Sequence, residues 1–301
     1  MSKDRDSLAE SRAIRKDVIS KYGDVPTSVW EIDYSEGKHV IEYEKRKQQA
    51  IAQEKHKKMD YDKRLAKCFE MSSQNVRGKG GGLSTFPPAL VRRVVLFYTE
   101  KGELVLDPCA GHNSRMQITY ECERNYIGYE VSKDFIAFNS MVRDEVMGKG
   151  SQGVLFEQKN SILLHPVSSE KMQEADNSVD LVFTSPPYWD IEYYGDEPEQ
   201  LGYGKTYEAF LSDMFKVIAE SYRVLKKGKY CVFNINDFRK DGNFYPYHCH
   251  MIELFQRAGF KLWDTIIIKW KSAIGACFAS QIESRKQTAK AHEYIIVGKK
   301  E

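Results

Sequence analysis

Three polar residues stand where predicted strands end, and their side chains could carry the chemistry of a site. Asp107 closes the run LVLD, Glu130 closes YIGYE, and Ser185 follows VDLVFT. Short apolar runs that alternate with helical segments are typical of a parallel sheet, in which the carboxyl ends of the strands meet at one edge. Because open α/β sheets bind ligands at that edge, we expect the three side chains to line one site.

The first two strand ends indicate a nucleoside ligand. Ala110 and Gly111 come soon after Asp107 and let the backbone turn tightly toward a ligand. The Glu130 carboxylate, one strand further along, can accept hydrogen bonds from both hydroxyls of a ribose. The sequence has neither a GxGxxG fingerprint nor Walker spacing around its GKGGG stretch, so a pyrophosphate is not indicated. S-adenosylmethionine fits this description.

The elements that must position these residues alternate between helix and strand from Phe86 onward. Helices are predicted at 87–100, 114–123, 133–146, 206–225 and 247–260, and strands at 103–108, 126–130, 154–158, 179–184, 229–235, 261–270 and 292–299. This alternation predicts a doubly wound, mostly parallel α/β sheet. No helix separates the last two strands, so we expect them to pair antiparallel at one edge of the sheet.

Composition narrows the class of protein. The chain has 301 residues, 42% of them hydrophobic, which is enough for one large α/β domain with an extension. Its net charge of +2 allows a nucleic-acid partner without requiring one. No apolar run is long enough to span a membrane, and the N-terminus is too polar for a signal peptide. The six cysteines form no CxxC pair, which favours reduced thiols and a cytoplasmic protein.

Residues 1–78 read differently from the rest, and we expect them to form a helical, partly basic extension before a catalytic domain at 79–301. The segment 40–67 has no Gly or Pro and carries nine Lys or Arg against five Asp or Glu. It is either a solvated helical face or an arm that lies along phosphates. The glycine-rich stretch 77–84 is a flexible joint or a loop that passes close to a ligand.

The succession LDPCAG, IGYE and TSPPYWD resembles the amino-group DNA methyltransferases, which modify N4 of cytosine or N6 of adenine. Residues 185–188 match the (D/N/S)PP(Y/F/W) signature of that family in full, and the resemblance extends over about residues 84–299. The cofactor motif precedes SPPY with no long insertion between them, as in small phage-type methylases. HNSR at 112–115 departs from the Ser-Gly-Thr-like stretch of many members, which leaves the contacts of the cofactor loop open.

The resemblance implies a Rossmann-like, class I S-adenosylmethionine-dependent methyltransferase fold, with a seven-stranded sheet and an antiparallel edge strand. It implies S-adenosylmethionine as the cofactor, held by Phe86, Pro87, Asp107, Pro108, Cys109, Ala110, Gly111, Glu130 and Asn160. Asn160 is included because it follows the predicted third strand, where the family often places a carboxylate near the adenine; an ordinary turn residue is the alternative. The implied catalytic residues are Ser185, Pro186, Pro187 and Tyr188.

The SPPY turn suits an exocyclic amino group as substrate. Such a nitrogen is a poor nucleophile because its lone pair is delocalised into the ring. The Ser185 hydroxyl and the Pro186 carbonyl can accept its hydrogens and direct the lone pair at a methyl donor. Proline fixes φ and has no N–H, so it holds the carbonyls in place without a competing donor. Tyr188 offers a flat face on which a base can stack, and the base must leave the duplex to reach it.

Three further residues are predicted to contact the substrate: Trp189, Tyr193 and Asp237. Trp189 and Tyr193 lie in a glycine- and acid-rich loop, and they either stack on DNA or pack against the sheet. Asp237 follows the fifth predicted strand, and it either lines the base pocket or simply ends the strand. The HCH triplet at 248–250 lacks partners at the spacing of metal ligands, so no metal is predicted.

The leading hypothesis is a site-specific DNA methyltransferase, with N4 of cytosine favoured because adenine enzymes usually carry aspartate where this chain has Ser185. A second hypothesis changes the substrate to RNA or to a protein glutamine, although the glutamine enzymes favour Asn before the prolines. A third is a non-catalytic nucleic-acid-binding protein with the same fold, against which the intact SPPY motif argues. DNA is the expected partner, and a membrane is not. A homodimer and a cognate restriction endonuclease stay open as partners.

Overall fold

The computed structural model describes residues 26–32, 86–151, 160–191, 194, 197–202, 204–270 and 291–301, together with the single positions 16, 18, 20, 286 and 288. Several predicted features lie outside these residues. They are the basic segment 40–67, the glycine-rich stretch 77–84, the predicted third strand at 154–158 and Tyr193. No helix among the described residues is long and apolar enough to cross a membrane.

The described residues form five helices and ten strands. The helices are α1 (Pro88–Tyr98), α2 (Ser114–Glu121), α3 (Lys133–Ser151), α4 (Tyr207–Val224) and α5 (Tyr247–Arg257). The strands are β1 (Val29–Ile32), β2 (Leu104–Asp107), β3 (Asn125–Tyr129), β4 (Ile162–His165), β5 (Val179–Thr184), β6 (Leu225–Ile235), β7 (Phe238–Lys240), β8 (Asn243–Tyr245), β9 (Lys261–Trp270) and β10 (His292–Lys299). All five predicted helices and six of the seven predicted strands are therefore present.

Eight of the strands form one sheet in the order β1-β9-β10-β6-β5-β2-β3-β4. Every neighbouring pair is parallel except those of β10, which runs antiparallel to both β6 and β9. This confirms the predicted class I methyltransferase fold. We had expected the antiparallel strand at the edge of the sheet. It lies inside the sheet instead, because β9 and β1 continue the sheet beyond it. β7 and β8 form a separate antiparallel hairpin.

β1 is the eighth strand, and it comes from the segment that the sequence assigned to the N-terminal extension. Val29–Ile32 pair in parallel with Ile267–Trp270 of β9. Trp30 and Ile32 are buried, and the Arg93 guanidinium lies 4.8 Å from the centre of the Trp30 ring. This short segment therefore belongs to the sheet and its core, although it precedes the predicted boundary at 78/79.

The sheet is covered on both faces, as a parallel sheet requires. On one face, α1 packs with Leu90 and Val94 in the same cluster as Phe183 of β5. On the other face, α4 packs with Phe210 in the same cluster as Val182 of β5. Because successive residues of a strand point to opposite faces and both faces are covered, β5 is mostly apolar and is buried along its whole length, including Asp180. The SPPY turn therefore begins directly after a strand that is buried on both faces.

The strand next to β3 lies later in the sequence than we expected. β4 covers Ile162–His165 and pairs in parallel with Tyr126–Tyr129. Asn160 therefore precedes this strand, and the Ser161 carbonyl beside it accepts from the Tyr126 N–H at the amino end of β3. The prediction that Asn160 stands at a carboxyl strand end is wrong. The residues that follow β4 toward the ligand edge are those after His165.

Candidate active site

An open cleft lies at the carboxyl ends of β2, β3, β4 and β5, with an empty volume of about 860 Å³ including its mouth. Its lining brings together two sets of predicted residues from distant parts of the sequence. The predicted cofactor residues in the lining are Phe86, Pro108, Cys109, Gly111 and Glu130. All four residues of the SPPY turn, Ser185–Tyr188, line the same cleft. The two predicted sets therefore meet in one cleft, and their roles there stay predictions.

Glu130 and Gly111 connect the ends of β3 and β2. Gly111 has φ of +51°, a conformation that a side chain would strain, and its N–H donates to Glu130 Oε2 over 2.8 Å. The Ser132 N–H donates to the other oxygen, Oε1, over 2.8 Å. Each carboxylate oxygen can accept a second hydrogen bond, so Glu130 retains acceptor capacity on the cleft side. Burial raises the pKa of Glu130 to about 7.

Asp107 lies beneath the cleft and not in its lining. Its side chain is fully buried, and Oδ1 accepts from the Cys109 N–H and the Thr184 hydroxyl. Oδ2 accepts from Arg115 Nε over 2.6 Å and from the Tyr126 hydroxyl over 3.0 Å. Four donors thus occupy the carboxylate. The prediction that Asp107 contacts a ligand directly is corrected: its position holds the loop after β2 and ties that loop to the end of β5.

Arg115 and His112, which belong to the HNSR departure, both line the cleft. Arg115 Nη2 donates to the carbonyls of Cys109 and Ala110, and its guanidinium lies 5.0 Å from the centre of the Phe86 ring. Burial and the nearby Arg115 charge lower the pKa of His112 to about 4, so its ring is neutral at neutral pH. A buried arginine thus fixes the backbone of the loop. The departure from the usual motif was the sequence signal for this role.

The SPPY turn continues directly from buried β5. Thr184, the last residue of the strand, donates to Asp107, so the start of the turn is anchored to the end of β2. Pro186 is buried, whereas Ser185 and Tyr188 are partly exposed in the cleft. The Tyr188 ring meets the Tyr247 ring of α5 edge to face, with 6.3 Å between centres. The turn therefore presents a hydroxyl and an aromatic face from a fixed support.

Two segments outside the set of predicted site residues complete the lining. Val167, Ser168 and Ser169 follow β4 and occupy the wall that we had expected near Asn160. The other wall comes from Tyr194 and from residues 199–201. The apolar run ILLH at 162–165 followed by Pro166 was the signal for the first segment, because a strand that ends there places the next residues at the ligand edge.

The remaining predicted residues lie behind the lining or away from it. Pro87 precedes α1, and Ala110 is buried in the loop. Trp189 Nε1 donates to the Lys205 carbonyl over 2.8 Å, and the ring packs among other aromatic side chains, which favours the packing alternative. Tyr193 lies outside the described residues.

Asp237 does not line the cleft. It accepts from the His248 N–H and lies 2.6 Å from His248 Nδ1, so it supports the first turn of α5. These contacts favour the alternative in which Asp237 ends the strand. Within the described part of the chain, no group of three His, Cys, Asp or Glu side chains could hold a metal ion.

Comparison with known families gives a match that extends over most of the chain. The model of a family described as DNA methylase, of N6/N4 type, matches residues 3–141 and 179–301. Both segments of this match contain cleft residues, including Glu130 in the first and the SPPY turn in the second.

Two curated relatives match shorter stretches. The Type II beta methyltransferase M.BslI of Bacillus sp. (strain NEB-606) is 32% identical over 102 residues, 31% of this chain and 10% of that protein. The Type II methyltransferase M.XycI of Xanthomonas campestris pv. cyanopsidis is 31% identical over 72 residues, 24% of this chain and 23% of that protein. The matched stretches thus span less than a quarter of the length of either relative.

Solved structures show more distant likenesses. A SAM-dependent methyltransferase of Methanosarcina mazei is 11% identical with a TM-score of 0.47, over 72% of this chain and 99% of that one. TTHA0409, a proposed DNA modification methylase of Thermus thermophilus solved with S-adenosyl-L-methionine, is 29% identical with a TM-score of 0.33. That alignment covers 42% of this chain and 50% of the other.

Proposed function

This chain belongs to the DNA methylase family, and from that premise we propose that it transfers a methyl group from S-adenosylmethionine to an exocyclic amino group of a base in DNA. The observation that carries the proposal is the convergence of Ser185–Tyr188 and Glu130 on one cleft. One set of residues suits an amino group and the other suits a ribose. We favour N4 of cytosine over N6 of adenine because Ser185 stands at the first position of the motif.

The residues of the cleft fit the proposed cofactor. Glu130 has acceptor capacity left for ribose hydroxyls, and its two occupied bonds fix the orientation of the carboxylate. Phe86 and Val131 give the cleft apolar surface next to it. The Arg115 guanidinium is turned toward Asp107 and two loop carbonyls, so it shapes the loop. When bound, S-adenosylmethionine supplies an electrophilic methyl group on a sulfonium.

The SPPY turn would act on the substrate base. The Ser185 hydroxyl and the Pro186 carbonyl accept hydrogen bonds from the amino group, which localises the nitrogen lone pair, and Tyr188 stacks on the base. Catalysis in this scheme comes from positioning and fixed dipoles and needs no covalent intermediate. A base inside a duplex cannot reach such a cleft, so the proposal includes base flipping.

The direct test identifies the product. DNA from cells that express the chain and grow on methyl-deuterated methionine is digested to nucleosides and analysed by mass spectrometry. We expect deuterated N4-methylcytosine. Deuterated N6-methyladenine would support the proposed methyl transfer to DNA but would identify adenine, not cytosine, as the target base. Deuterium in RNA or protein glutamine but not in DNA would overturn the choice of substrate, and no transfer with intact cofactor binding would favour a non-catalytic protein.

Matched serine variants at the two ends of β5 test the catalytic turn. Ser185→Ala removes an acceptor from the cleft, whereas Ser178→Ala removes a hydroxyl that precedes β5 at the opposite edge and bonds only the Ala175 carbonyl in the described contacts. We expect Ser185→Ala to lower single-turnover methyl transfer by about 100-fold or more, as for other fixed transition-state contacts, and to spare cofactor affinity. Ser178→Ala should transfer at the wild-type rate. Equal rates for the two variants would contradict the proposed role of Ser185.

A further inference from the structure

The β7–β8 hairpin leaves the sheet beside the SPPY turn. β5 and β6 are parallel neighbours, with Thr184 opposite Phe233, and the turn follows β5 just as the hairpin follows β6. Both segments therefore stand at the carboxyl edge, where the cleft opens. The hairpin itself is not part of the cleft lining.

Trp189, the residue after Tyr188, attaches the hairpin to the turn. Phe238 and Tyr245 of the hairpin stack with 5.2 Å between ring centres, and the Trp189 ring lies 6.3 Å and 5.2 Å from them. Lys240 pairs with Asp190 and lies 4.5 Å from the centre of the Trp189 ring. Trp189 has φ of +51°, a conformation that persists only where surrounding contacts enforce it. The hairpin and the turn therefore hold a fixed relative position.

The outer face of the hairpin presents an aromatic ring with a cation above it. Phe244 is 46% exposed and stands opposite Arg239 in the strand register. The Arg239 guanidinium lies 4.9 Å from the centre of the Phe244 ring. Lys240 is neutralised by Asp190, and Asp241 lies in the turn, so Arg239 is the cation that the hairpin offers to a partner. A flat apolar ring and a guanidinium together suit a base and its phosphate.

A second pair of an exposed ring and a cation lies at the opposite edge of the sheet and serves as a comparison. Trp263 is 48% exposed, and Lys299 Nζ lies 4.1 Å from the centre of its ring. Trp263 is near the start of β9 and Lys299 ends the antiparallel β10, so this pair stands at the amino edge of the sheet. The two pairs share their chemistry, but only Phe244 and Arg239 stand at the edge where the cleft opens.

We propose that the β7–β8 hairpin contacts the DNA strand beside the base that enters the cleft, with Phe244 stacked on a flanking base and Arg239 on a phosphate. This inference rests on the proposed function. The rigid link through Trp189 would keep a constant spacing between the flanking contact and Tyr188. A nucleic-acid strand is the occupant that the pair fits, because stacking accounts for the exposed ring and a phosphate accounts for the cation.

The experiment compares the two pairs in the full chain on a DNA that the wild-type protein methylates. Single-turnover methyl transfer is followed against DNA concentration for Phe244→Ala, Arg239→Gln, Trp263→Ala and Lys299→Gln. We expect Phe244→Ala to raise the half-saturating DNA concentration about 5- to 150-fold, the effect of one lost stacked base, and Phe244→Trp to preserve it. Arg239→Gln should reduce the salt slope of the half-saturating concentration by about 0.9, the effect of one lost phosphate contact. The two amino-edge variants should match the wild type.

Calorimetry with S-adenosylmethionine on the same preparations checks that the cleft is intact, and we expect wild-type affinity in all five variants. If the wild type methylates DNA and Phe244→Ala saturates at the same DNA concentration, the hairpin inference is wrong and the proposed function stands. A loss equal in Trp263→Ala and Phe244→Ala would also overturn the inference. A wild-type protein that methylates no DNA would overturn the proposed function and the inference with it.

Discussion

Asp107 and Glu130 come at the ends of neighbouring strands, and the structure uses them in opposite ways. Asp107 is fully buried and accepts from four donors, among them Arg115 and Thr184. Glu130 accepts from two backbone N–H groups and lines the cleft. Asp107 already accepts four hydrogen bonds from the protein, whereas Glu130 can accept further hydrogen bonds from a ligand.

The comparison shows that a carboxylate at a strand end is not sufficient to indicate a ligand contact. What separates the two residues is the supply of nearby donors. Arg115, on the first turn of α2, reaches back under the loop after β2 and fills one oxygen of Asp107. No cationic side chain is hydrogen-bonded to Glu130 in the described contacts. Three consequences can be measured, and they differ in size.

The largest effect should be on stability, through Asp107→Asn. The substitution leaves the buried Arg115 guanidinium without its counter-charge, and breaking a buried pair in this way costs about 3–5 kcal/mol. We expect the free energy of unfolding in urea to fall by about that amount at neutral pH. Glu130→Gln, the matched change at the neighbouring strand, removes the acceptor of one backbone N–H and should lower it by less, about 1–3 kcal/mol. Equal losses in the two variants would contradict the structural role of Asp107.

The next largest effect should be on cofactor affinity, and it should come from Glu130. Glu130→Ala removes charge-assisted acceptors for the ribose, so we expect S-adenosylmethionine binding to weaken by about 1.5–3 kcal/mol in calorimetry. Glu121→Ala serves as control because Glu121 is on α2, pairs with Arg92 and is not in the cleft lining. Unchanged affinity in a folded Glu130→Ala protein would remove Glu130 from the cofactor site.

The sequence predicted the fold and much of the cleft because both depend on local signals. Buried strands such as β5 are recognisable as mostly apolar runs, and the SPPY turn is a short rigid motif that needs no distant residue for its shape. The same holds for the turn at Gly111, where φ is +51°. Residues that follow directly from such strands and turns were therefore assigned to the cleft correctly.

Asp107, Trp189 and Asp237 lie outside the cleft lining for one physical reason, which is competition for each side chain by residues outside its local motif. Asp237 is bound by His248, and Asp107 by Thr184, a residue that the chain reaches only several elements later. Asn160 was misplaced for another reason: Ile162–His165 is a short apolar run, and the sequence prediction placed the strand at 154–158 instead. The Trp189 ring packs against Tyr245 of the hairpin, and the two hairpin strands have only three residues each. No local pattern in the sequence contains these contacts.

The smallest effect should be the pH dependence of cofactor affinity, and it tests the state of Glu130 directly. Burial raises the pKa of Glu130 to about 7, so the carboxyl group of the empty protein is largely protonated at pH 6. Ribose hydroxyls donate hydrogen bonds and favour the ionised form, so binding must release the proton. Affinity should therefore rise as pH increases toward 7 and level off above it. Between about pH 6 and pH 7.5 we expect a gain of nearly tenfold, about 1.4 kcal/mol.

Glu130→Gln supplies the reference for this measurement because glutamine does not titrate. His112, in the same cleft, has a pKa lowered to about 4 and keeps its neutral state throughout the window. Any change in the S-adenosylmethionine amino group affects both proteins equally, so the difference between their pH profiles isolates Glu130. Parallel profiles would mean that Glu130 keeps the same protonation state in the empty and the bound protein. In that case the contrast with Asp107 would lie in the number of hydrogen bonds that each carboxylate can still accept, and not in a change of the protonation state of Glu130.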